Sequence, residues 1–208
     1  MKILELFSGT GEFSKIAKEE GFSTFTVDNN RNVNSDLNKD ILQLKLKDIP
    51  FQPDIIWASP PCIDYSHAKR KGVSYIELSN MLVIKTISLI LALKPKYWII
   101  ENPQTGTLKF QYFMNDLPFT DVSYCRYGKT FRKQTRLWNN FKFVGRTCIC
   151  KERHKDSCGN GRKEWTSKGL TNYEKGSIPK ELTLNILKQI KEKELGLEEK
   201  NEKRIRTT

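Results

Sequence analysis

The sequence predicts an α/β protein with a mostly parallel sheet and helices on both faces. From Met1 to about residue 105, short apolar runs alternate with helix-type patterns, which is typical of parallel strands joined by crossover helices. The length of 208 residues suits one domain with an appendage, because a domain averages about 150 residues. A hydrophobic content of 38% is enough for a packed core. Together these observations favour a Rossmann-like arrangement.

The predicted elements follow in chain order. Strands are expected at 3–7, 23–28, 54–59 and 97–102, and helices at 12–20 and 74–93. Gly21 and Pro95 lie just beyond the two helices, where these residue types commonly end a helix. A further helix near 107–116 and two neighbouring strands at 121–127 and 135–141 are expected next. The last helix begins at 177–179, with proline tolerated in its first turn, and carries Leu182, Ile186 and Ile190 on one face.

Composition divides the chain into four parts. Residues 1–144 form the α/β core, and residues 145–176 form a small basic insertion rich in Gly, Lys, Arg and Cys. Residues 177–194 form the final helix, which is expected to pack back on the core, and residues 195–208 form a charged tail. The insertion shows little hydrophobic periodicity, so no regular element is assigned to it.

The sequence predicts neither a membrane span nor a secretory signal. The longest apolar stretch, 81–93, is interrupted by Lys85 and Ser88 and is shorter than the roughly 20 residues that cross a bilayer. The first residues run into a strand pattern without the apolar region of a signal peptide. We therefore expect an intracellular protein, cytoplasmic or associated with the nucleoid, that is not secreted. Its five cysteines are interpreted as thiols, metal ligands or a nucleophile rather than disulfides.

Positive charge is concentrated in one segment. The chain has a net charge of +12, and residues 125–165 hold twelve Lys or Arg against three Asp or Glu. Aromatic residues are interleaved with these cations: Tyr127, Phe131, Trp138, Phe141, Phe143 and Trp165. A basic surface with aromatics suits a polyanion such as nucleic acid. The alternative is a basic, solvated face above aromatics that belong to the core.

The first motif, at 4–14, is typical of a ligand-binding turn between a strand and a helix. Gly9 and Gly11 allow a ligand to approach the backbone at a helix N-terminus. Ser14 stands where a dinucleotide fingerprint has its third glycine, which argues against a nicotinamide cofactor. Asp28 follows at the end of the second strand and could accept the hydroxyls of a ribose, or cap a loop. Asp40 could accept from an adenine amino group, or act as a helix cap.

The second motif places a cysteine at the carboxyl edge of the sheet. Pro60 and Pro61 restrict the backbone ahead of Cys62, directly after a buried strand. Open α/β folds bind ligands at this edge, so the thiol could be a nucleophile; a buried structural cysteine is the alternative. A free thiol has a pKa of about 8.5, and Arg136 or a nearby lysine could lower it. His67 could pair with the cysteine but is better interpreted as a surface histidine.

The third motif delivers a carboxyl group to the same edge. Glu101 and Asn102 follow an apolar strand, and a partly desolvated carboxyl group there can act as a general acid. The alternative is a strand-end glutamate without a chemical role.

A fourth cluster lies in the basic insertion. Cys148, Cys150, His154 and Cys158 have the number and softness of ligands that a tetrahedral Zn²⁺ site requires. A bound metal would order a segment that is too small to have its own core. The alternative is a set of reduced thiols in a flexible basic loop.

In this order the motifs resemble the cytosine-C5 methyltransferases that use S-adenosylmethionine. Residues 7–11, FSGTG, are similar to the methionine-binding loop, and residues 59–62, SPPC, to the nucleophile motif. Residues 101–103, ENP, are similar to the family's acid motif, and residues 134–136, QTR, to the first half of Q-x-R-x-R. The segment from Gly176 resembles the final motif, although the usual Asn is missing.

The resemblance implies a role for each matching residue. Cofactor contacts are expected from Phe7, Gly9, Gly11, Asp28, Asp40 and Pro60. Catalytic roles are expected for Cys62, which attacks C6 of cytosine, Glu101, which donates toward N3, and Arg136, which holds the O2 side. Substrate contacts are expected from Asn102, Arg132 and Gln134. The implied cofactor is S-adenosylmethionine, with a structural zinc as a further expectation, and the implied substrate is DNA, either duplex with a flipped base or single-stranded.

Two departures from the family pattern keep alternatives open. Trp138 stands where the second Arg of Q-x-R-x-R belongs, and residues 139–176 are far fewer than the family's usual recognition domain. RNA is therefore an alternative substrate, and a non-enzymatic nucleic-acid-binding subunit with the same fold is a third interpretation. A protein partner that supplies sequence recognition is also left open.

Overall fold

The computed structural model describes residues 1–66, 75–148, 171, 174 and 176–206, with side chains up to residue 196. Its centre is a seven-stranded sheet with the strand order β3-β2-β1-β4-β5-β7-β6. The strands are β1 (Lys2–Leu6), β2 (Ser23–Asp28), β3 (Leu37–Asn38), β4 (Ile55–Ala58), β5 (Tyr97–Pro103), β6 (Phe119–Ser123) and β7 (Gln134–Asn139). Strands β1 to β5 pair in parallel, whereas β7 runs antiparallel to both β5 and β6. The predicted mostly parallel sheet is confirmed, with β3 as a short additional edge strand.

This strand order places a ligand-binding crevice at the centre of the sheet. The chain leaves β1 toward β2 on one side and returns to β4 on the other, so the order reverses between β1 and β4. Open α/β sheets bind ligands at the carboxyl ends of the strands at such a reversal. The loops after β1 and β4 are the two loops that carry the first and second motifs.

Three helices cover the two faces of the sheet. Helices α1 (Glu12–Glu19) and α3 (Lys180–Arg206) pack on one face, and α2 (Ile76–Leu93) packs on the other. Successive strand residues point to opposite faces, so Ile3 and Trp57 join α1 and α3 while Leu4 and Ile56 join α2. The rings of Phe13 and Trp57 stack with centroids 4.3 Å apart. Leu182, Ile186 and Ile190 of the final helix are buried in this cluster. The helix extends to Arg206, and its Lys and Glu residues favour helix.

Helix α2 is longer than the apolar stretch from which the sequence analysis argued. Its eighteen residues have a mean hydropathy of 1.8, and by length and composition it could cross a membrane. In the fold one face of this helix packs on the sheet, where Val83, Leu89 and Leu93 are buried with Leu4, Ile56 and Ile100, and 33% of the helix is buried in all. One helix of this kind is weak evidence for a membrane span, because a helix packed on a sheet can have the same length and composition.

One predicted element is wrong, and one predicted strand has different bounds. The helix expected near 107–116 consists of two short 3₁₀ turns, Leu108–Phe110 and Tyr112–Met114, because its aromatic residues are poor helix formers. The strand expected at 121–127 ends at Ser123. The chain there enters a 3₁₀ turn, which Gly128 closes with a φ of 92°, a conformation that glycine adopts without strain.

The aromatic residues of the basic segment are part of the core. Tyr127, Phe131, Trp138, Phe141 and Phe143 are all buried, with at most 6% of their surface exposed, and Trp165 lies outside the described residues. The interpretation of these rings as nucleic-acid contacts is therefore corrected in favour of the alternative, in which the cations lie above core aromatics. Successive side chains along an extended chain point in opposite directions. In the loop after β7 the apolar rings therefore point inward, and Lys142 and other polar neighbours are exposed.

Candidate active site

A cavity of about 260 Å³ opens at the carboxyl ends of β1, β4 and β5. Five of the residues selected from the sequence line it together: Phe7, Gly9, Pro60, Cys62 and Glu101. They come from the loops after β1 and β4 and from the end of β5, which the parallel strands bring to one edge of the sheet. The cavity therefore combines the first, second and third motifs in one site.

The turn between β1 and α1 depends on backbone conformations that glycine supplies. Gly9 and Gly11 have φ values of 51° and 68°, which residues with a Cβ rarely adopt. Asp28 accepts a hydrogen bond from the Gly9 N–H at 2.7 Å, so the turn is tied to the end of β2. Phe7 also has a positive φ, of 57°, and such strained residues concentrate at ligand sites.

Asp28 and Asp40 line a smaller adjoining pocket of about 50 Å³. Each carboxylate also caps local backbone: Asp28 accepts from the Asn30 N–H at 2.8 Å, and Asp40 accepts from the Leu42 N–H at 2.9 Å. Asp28 and Asp40 therefore act as caps, as one interpretation of the sequence held, and also border a pocket, as the other interpretation requires. One oxygen of each caps its own turn while the residue borders the pocket.

Glu5 is a buried acid of this site that the sequence analysis missed. It is 1% exposed and accepts a hydrogen bond from the Ser14 N–H at 2.9 Å. Burial raises the pKa of Glu5 from 4.5 to about 7; the Ser14 hydrogen bonds oppose the rise, and the charges of Asp28 and Glu12 add to it. The sequence did carry a signal for this buried acid: Glu5 is an acidic residue within the apolar run of β1, and it shares a face of the strand with Ile3.

Hydrogen bonds hold the loop that carries Cys62. The cysteine precedes a short 3₁₀ turn. In that turn Asp64 accepts from the Ser79 hydroxyl at 2.8 Å, and the Tyr65 hydroxyl donates to the side-chain oxygen of Asn80 at 2.9 Å. Ser79 and Asn80 lie in the first turns of α2, so the loop is anchored to a core helix. His67 lies outside the described residues.

The surroundings of Cys62 raise the pKa of its thiol. The residue is exposed at the mouth of the cavity, yet nearby protein atoms desolvate the thiolate, and this burial is the largest cause of the rise. The charge of Glu101 raises the pKa further, whereas Lys133 lowers it. The sequence predicted that Arg136 or a nearby lysine lowers this pKa. The cation at the site is Lys133, and the pKa of the thiol nevertheless rises. Neutralising Glu101 removes one of the two causes that disfavour the thiolate.

Glu101 is held by two groups that the sequence analysis did not select. Its Oε1 accepts a hydrogen bond from the Tyr124 hydroxyl at 2.9 Å and lies 3.6 Å from Nζ of Lys133. Burial raises the pKa of Tyr124 well above its usual value of 10, and the charge of Glu101 adds to the rise, so the hydroxyl remains a donor. Asn102, the next residue, is 1% exposed and donates to the carbonyl oxygen of Pro60 at 2.9 Å.

Arg136 is not brought to this cavity. Asn102 pairs with Arg136 and Glu101 pairs with Leu137 between β5 and β7, and directly opposed residues share a face. Arg136 therefore lies on the face of the sheet opposite to Glu101. Its guanidinium makes two hydrogen bonds to Asp121, at 2.7 and 2.8 Å. Of the two cations that the sequence offered beside Cys62, Arg136 or a nearby lysine, the structure places Lys133 at the cavity. The expected contact of Arg136 with the O2 side of cytosine stays a prediction.

The two predicted substrate-contact residues on either side of Lys133 also lie outside the cavity lining. Among residues 132–134, only Lys133 borders the cavity. The backbone oxygen of Gln134 accepts from the Gln104 N–H at 3.0 Å, which ties β7 to the loop after β5. Arg132 is partly buried next to this point. Their expected contacts with a substrate remain predictions.

The proposed zinc ligands fall mostly outside the described residues. Cys150, His154 and Cys158 are not described. Cys148 is buried, and its N–H donates to the hydroxyl of Ser123 at 3.0 Å. Within the described part of the chain, no group of three His, Cys, Asp or Glu residues could hold a metal ion.

Exposed aromatic side chains lie on two segments that hydrogen-bond to the turn after Cys62: the Tyr75 N–H donates to Asp64, and the Thr107 N–H, just before Leu108–Phe110, donates to the Tyr65 carbonyl oxygen. Tyr75, Phe110 and Tyr112 are 61%, 71% and 78% exposed. Tyr75 lies at the start of α2, and its N–H donates to Asp64 at 3.3 Å. Lys109 lies over the ring of Phe110, with Nζ 5.1 Å from the centroid. We call these three aromatic residues, together with Lys109, the aromatic rim.

Comparison with known proteins agrees with this architecture. A probable DNA (cytosine-5)-methyltransferase of Frog virus 3 (isolate Goorha) is 37% identical to the chain and aligns with 77% of it and 78% of the viral protein. A putative DNA modification methyltransferase encoded within a prophage of E. coli has a TM-score of 0.51 at 18% identity, covering 67% of this chain and 46% of that structure. A mutant of DNMT2 from Spodoptera frugiperda has a TM-score of 0.49 at 20% identity, covering 73% of this chain and 56% of that structure.

The chain spans about half the length of these two solved structures, and the first of them shows the methyltransferase fold that the sequence predicted. The family of C-5 cytosine-specific DNA methylases matches residues 1–106, about half of the chain. With the viral relative aligned over most of both proteins, the chain belongs to the C-5 cytosine-specific DNA methylase family.

Proposed function

We propose that this chain transfers a methyl group from S-adenosylmethionine to C5 of cytosine in DNA, through a covalent bond between Cys62 and C6. The observation that carries the proposal is the cavity in which Cys62 and Glu101 face the β1–α1 turn. A nucleophile, an acid and a cofactor turn within one cavity are the parts that this reaction needs. The viral relative is named as a probable enzyme of the same activity.

The residues around the turn fit S-adenosylmethionine. A Cβ on Gly9 or Gly11 would meet no atom within 4 Å, so the turn leaves open space for a ligand. The hydroxyl of Ser8 is buried at the cavity wall without a hydrogen-bond partner among the described residues. Glu5 and Glu12 add carboxyl groups, which suit the cationic end of the cofactor, and Asp28 and Asp40 suit its ribose and adenine. When bound, S-adenosylmethionine supplies an electrophilic methyl group.

Cys62 and Glu101 would divide the activation of the base between them. The Cys62 thiol loses its proton to solvent and the thiolate adds to C6, which forms the S–C6 bond and moves the C5–C6 π electrons toward C4 and N3. Glu101 gives its proton to N3 and so stabilises the charge that develops there. C5 then takes the methyl group, whose bond to the sulfonium sulfur breaks, and the sulfur would leave as a neutral thioether. The C5 proton leaves to solvent, the electron pair of the C5–H bond re-forms the C5–C6 double bond, and the S–C6 bond breaks to release the Cys62 thiolate, while N3 returns its proton to Glu101.

The aromatic rim would hold the nucleic acid around the target base. C6 is inaccessible inside a base stack, so the cytosine must be flipped out or already single-stranded. Exposed aromatic side chains bind unstacked bases by stacking on them, and Lys109 supplies a positive charge for phosphate. The segments that carry the rim hydrogen-bond to the turn after Cys62, on the side where unpaired flanking bases would lie. The predicted protein partner for sequence recognition stays a prediction.

The decisive test is adduct formation with a 5-fluorocytosine oligonucleotide in the presence of S-adenosylmethionine. Fluorine at C5 does not leave as a proton does, so the S–C6 bond persists after methyl transfer. We expect a denaturant-resistant complex whose cross-linked peptide contains Cys62. The same oligonucleotide with unmodified cytosine is the chemical control and leaves no complex.

Parallel reactions with duplex DNA, single-stranded DNA and RNA distinguish the substrates. An adduct confined to RNA would replace DNA by RNA in the proposal and leave the chemistry intact. No adduct with any of the three, although S-adenosylmethionine binds, would support the non-enzymatic interpretation and overturn the proposal.

A further inference from the structure

Tyr124 and Lys133 both contact the same oxygen of the Glu101 carboxyl group. Oε1 accepts from the Tyr124 hydroxyl at 2.9 Å and lies 3.6 Å from the ammonium group of Lys133. All three side chains are largely enclosed: Glu101 is 6% exposed and Tyr124 is 0% exposed, and the side chain of Lys133 is 18% exposed. These contacts are therefore less screened by solvent than surface contacts.

Tyr124, Lys133 and Glu101 form one unit. Tyr124 follows β6 and Lys133 precedes β7, and the Tyr124 N–H donates to the backbone oxygen of Lys133 at 2.9 Å. The ammonium group of Lys133 also lies over the Tyr124 ring, 4.6 Å from its centroid, within reach of a cation–π contact. Pairing of β7 with β5 brings both residues to Glu101.

We propose that Tyr124 and Lys133 are positioning residues that hold Oε1 of Glu101 as a hydrogen-bond acceptor, so that Oε2 carries the proton delivered to cytosine N3. This inference rests on the proposed function. A neutral carboxyl group has its proton on one oxygen only, and the oxygen that accepts from Tyr124 and faces an ammonium group is the one without it. The O–H bond that breaks during transfer is then the Oε2–H bond.

Lys133 also places a positive charge beside the two reacting side chains. It is the one Lys or Arg among the described residues that line the cavity. After Glu101 gives its proton to N3, a carboxylate remains between the Tyr124 hydroxyl and the Lys133 ammonium group, which stabilise it until the proton returns. The same charge favours the thiolate of Cys62 against burial. Lys133 thus supplies the positive charge that the sequence predicted from Arg136 or a nearby lysine.

Three variants isolate these contacts. Tyr124→Phe removes only the hydroxyl, Lys133→Met removes the charge but keeps the length, and Lys133→Arg keeps the charge. Tyr127→Phe is the matched control for the hydroxyl, because Tyr127 is equally buried on the same 3₁₀ turn and its oxygen accepts from the Arg146 N–H at 2.8 Å. Lys188→Met, at an exposed position on α3, controls for the loss of one charge.

The first measurement is the single-turnover rate of adduct formation with the 5-fluorocytosine oligonucleotide, as a function of pH. We expect Tyr124→Phe and Lys133→Met each to slow this rate by about tenfold or more, as loss of general-acid assistance does, and to change its pH profile. Lys133→Arg restores the rate, and oligonucleotide affinity and melting temperature stay close to the parent values. Tyr127→Phe and Lys188→Met react like the parent. Unchanged rates in both Tyr124→Phe and Lys133→Met, or a loss confined to oligonucleotide affinity, would overturn the proposal.

The second measurement needs no nucleic acid, so it separates this inference from the proposed function. Alkylation of Cys62 by iodoacetamide, followed by peptide mass spectrometry across pH, reports the thiol directly. We expect the alkylation midpoint of Lys133→Met to lie at higher pH than that of the parent, and that of Lys133→Arg to match the parent. If the parent protein forms no adduct, the proposed function fails, whereas coincident alkylation curves for Lys133→Met and the parent refute the placement of the Lys133 charge.

Discussion

The side chain of Asn102 donates a hydrogen bond to the carbonyl oxygen of Pro60 at 2.9 Å. Asn102 is the last residue but one of the strand that carries Glu101, and Pro60 lies on the loop that carries Cys62. This one bond therefore fixes the distance between the strand end with the acid and the loop with the nucleophile. Because both partners are buried or flank the cavity, water replaces the bond poorly.

Asn102→Ala tests this connection. We expect methyl transfer to fall by about tenfold or more, because a small displacement of reacting groups is costly in rate, while the affinity for S-adenosylmethionine stays within about twofold. Loss of one buried hydrogen bond costs about 1 kcal/mol of folding stability, so the variant remains folded. Steady-state kinetics and calorimetry measure both quantities. A variant with full activity would show that the bond is only structural.

Cys62→Ala separates binding from chemistry. The thiol is required for addition to C6, so we expect methyl transfer to be lost, whereas the β1–α1 turn that would hold S-adenosylmethionine is unaffected. Radiolabel transfer and calorimetric titration of the cofactor check the two outcomes. Equal transfer by the variant and the parent would remove Cys62 from the mechanism.

Glu5→Gln changes how folding stability depends on pH. The pKa of Glu5 is about 7 in the fold against 4.5 ordinarily, so the folded state keeps a proton that the unfolded state releases near pH 4.5. Stability from this group therefore falls as pH rises from about 4.5 to 7, by about 3 kcal/mol in total. Glutamine keeps an acceptor for the Ser14 N–H and does not titrate.

Urea unfolding at pH 5 and pH 8 measures this difference. We expect Glu5→Gln to gain stability relative to the parent at pH 8 and to gain less at pH 5. Glu77→Gln, at an exposed position on α2, should differ from the parent by less than about 0.5 kcal/mol at both pH values. If Glu5→Gln raises the free energy of unfolding by the same amount at both pH values, the pKa of Glu5 is not raised in the fold.

The aromatic rim predicts a defect in nucleic-acid binding. Phe110→Ala and Tyr112→Ala each remove a stacking surface, which is worth about 1–3 kcal/mol per base, so we expect single-stranded oligonucleotides to bind about tenfold more weakly. Leu91→Ala removes an apolar side chain with 68% exposure from the opposite end of α2 and should bind like the parent. Fluorescence anisotropy gives the three dissociation constants. If Leu91→Ala and Phe110→Ala bind equally well, the rim is not the contact surface.

Local sequence was sufficient for the parallel half of the fold and for the residues at its strand ends. Alternating apolar runs and helical patterns predicted β1, β2, β4, β5 and their helices, because each of these patterns is set by neighbours in the chain. A residue that directly follows a parallel strand must lie at the carboxyl edge of the sheet. Cys62 and Glu101 could therefore be assigned to one edge, and their motifs indicated the family before any contact was known.

Only the tertiary structure decided which cation lies beside that pair. Lys133 and Arg136 are three residues apart, and the antiparallel register between β5 and β7 determines which of them reaches Glu101. A shift of one residue exchanges the two faces of a strand, and no local pattern reports that register. Tyr124 reaches Glu101 through the turn after β6. The aromatic residues of the basic segment point into the core because distant segments pair and pack there. Sequence alone sets the chemistry of a side chain, whereas pairing and packing between distant segments set its direction.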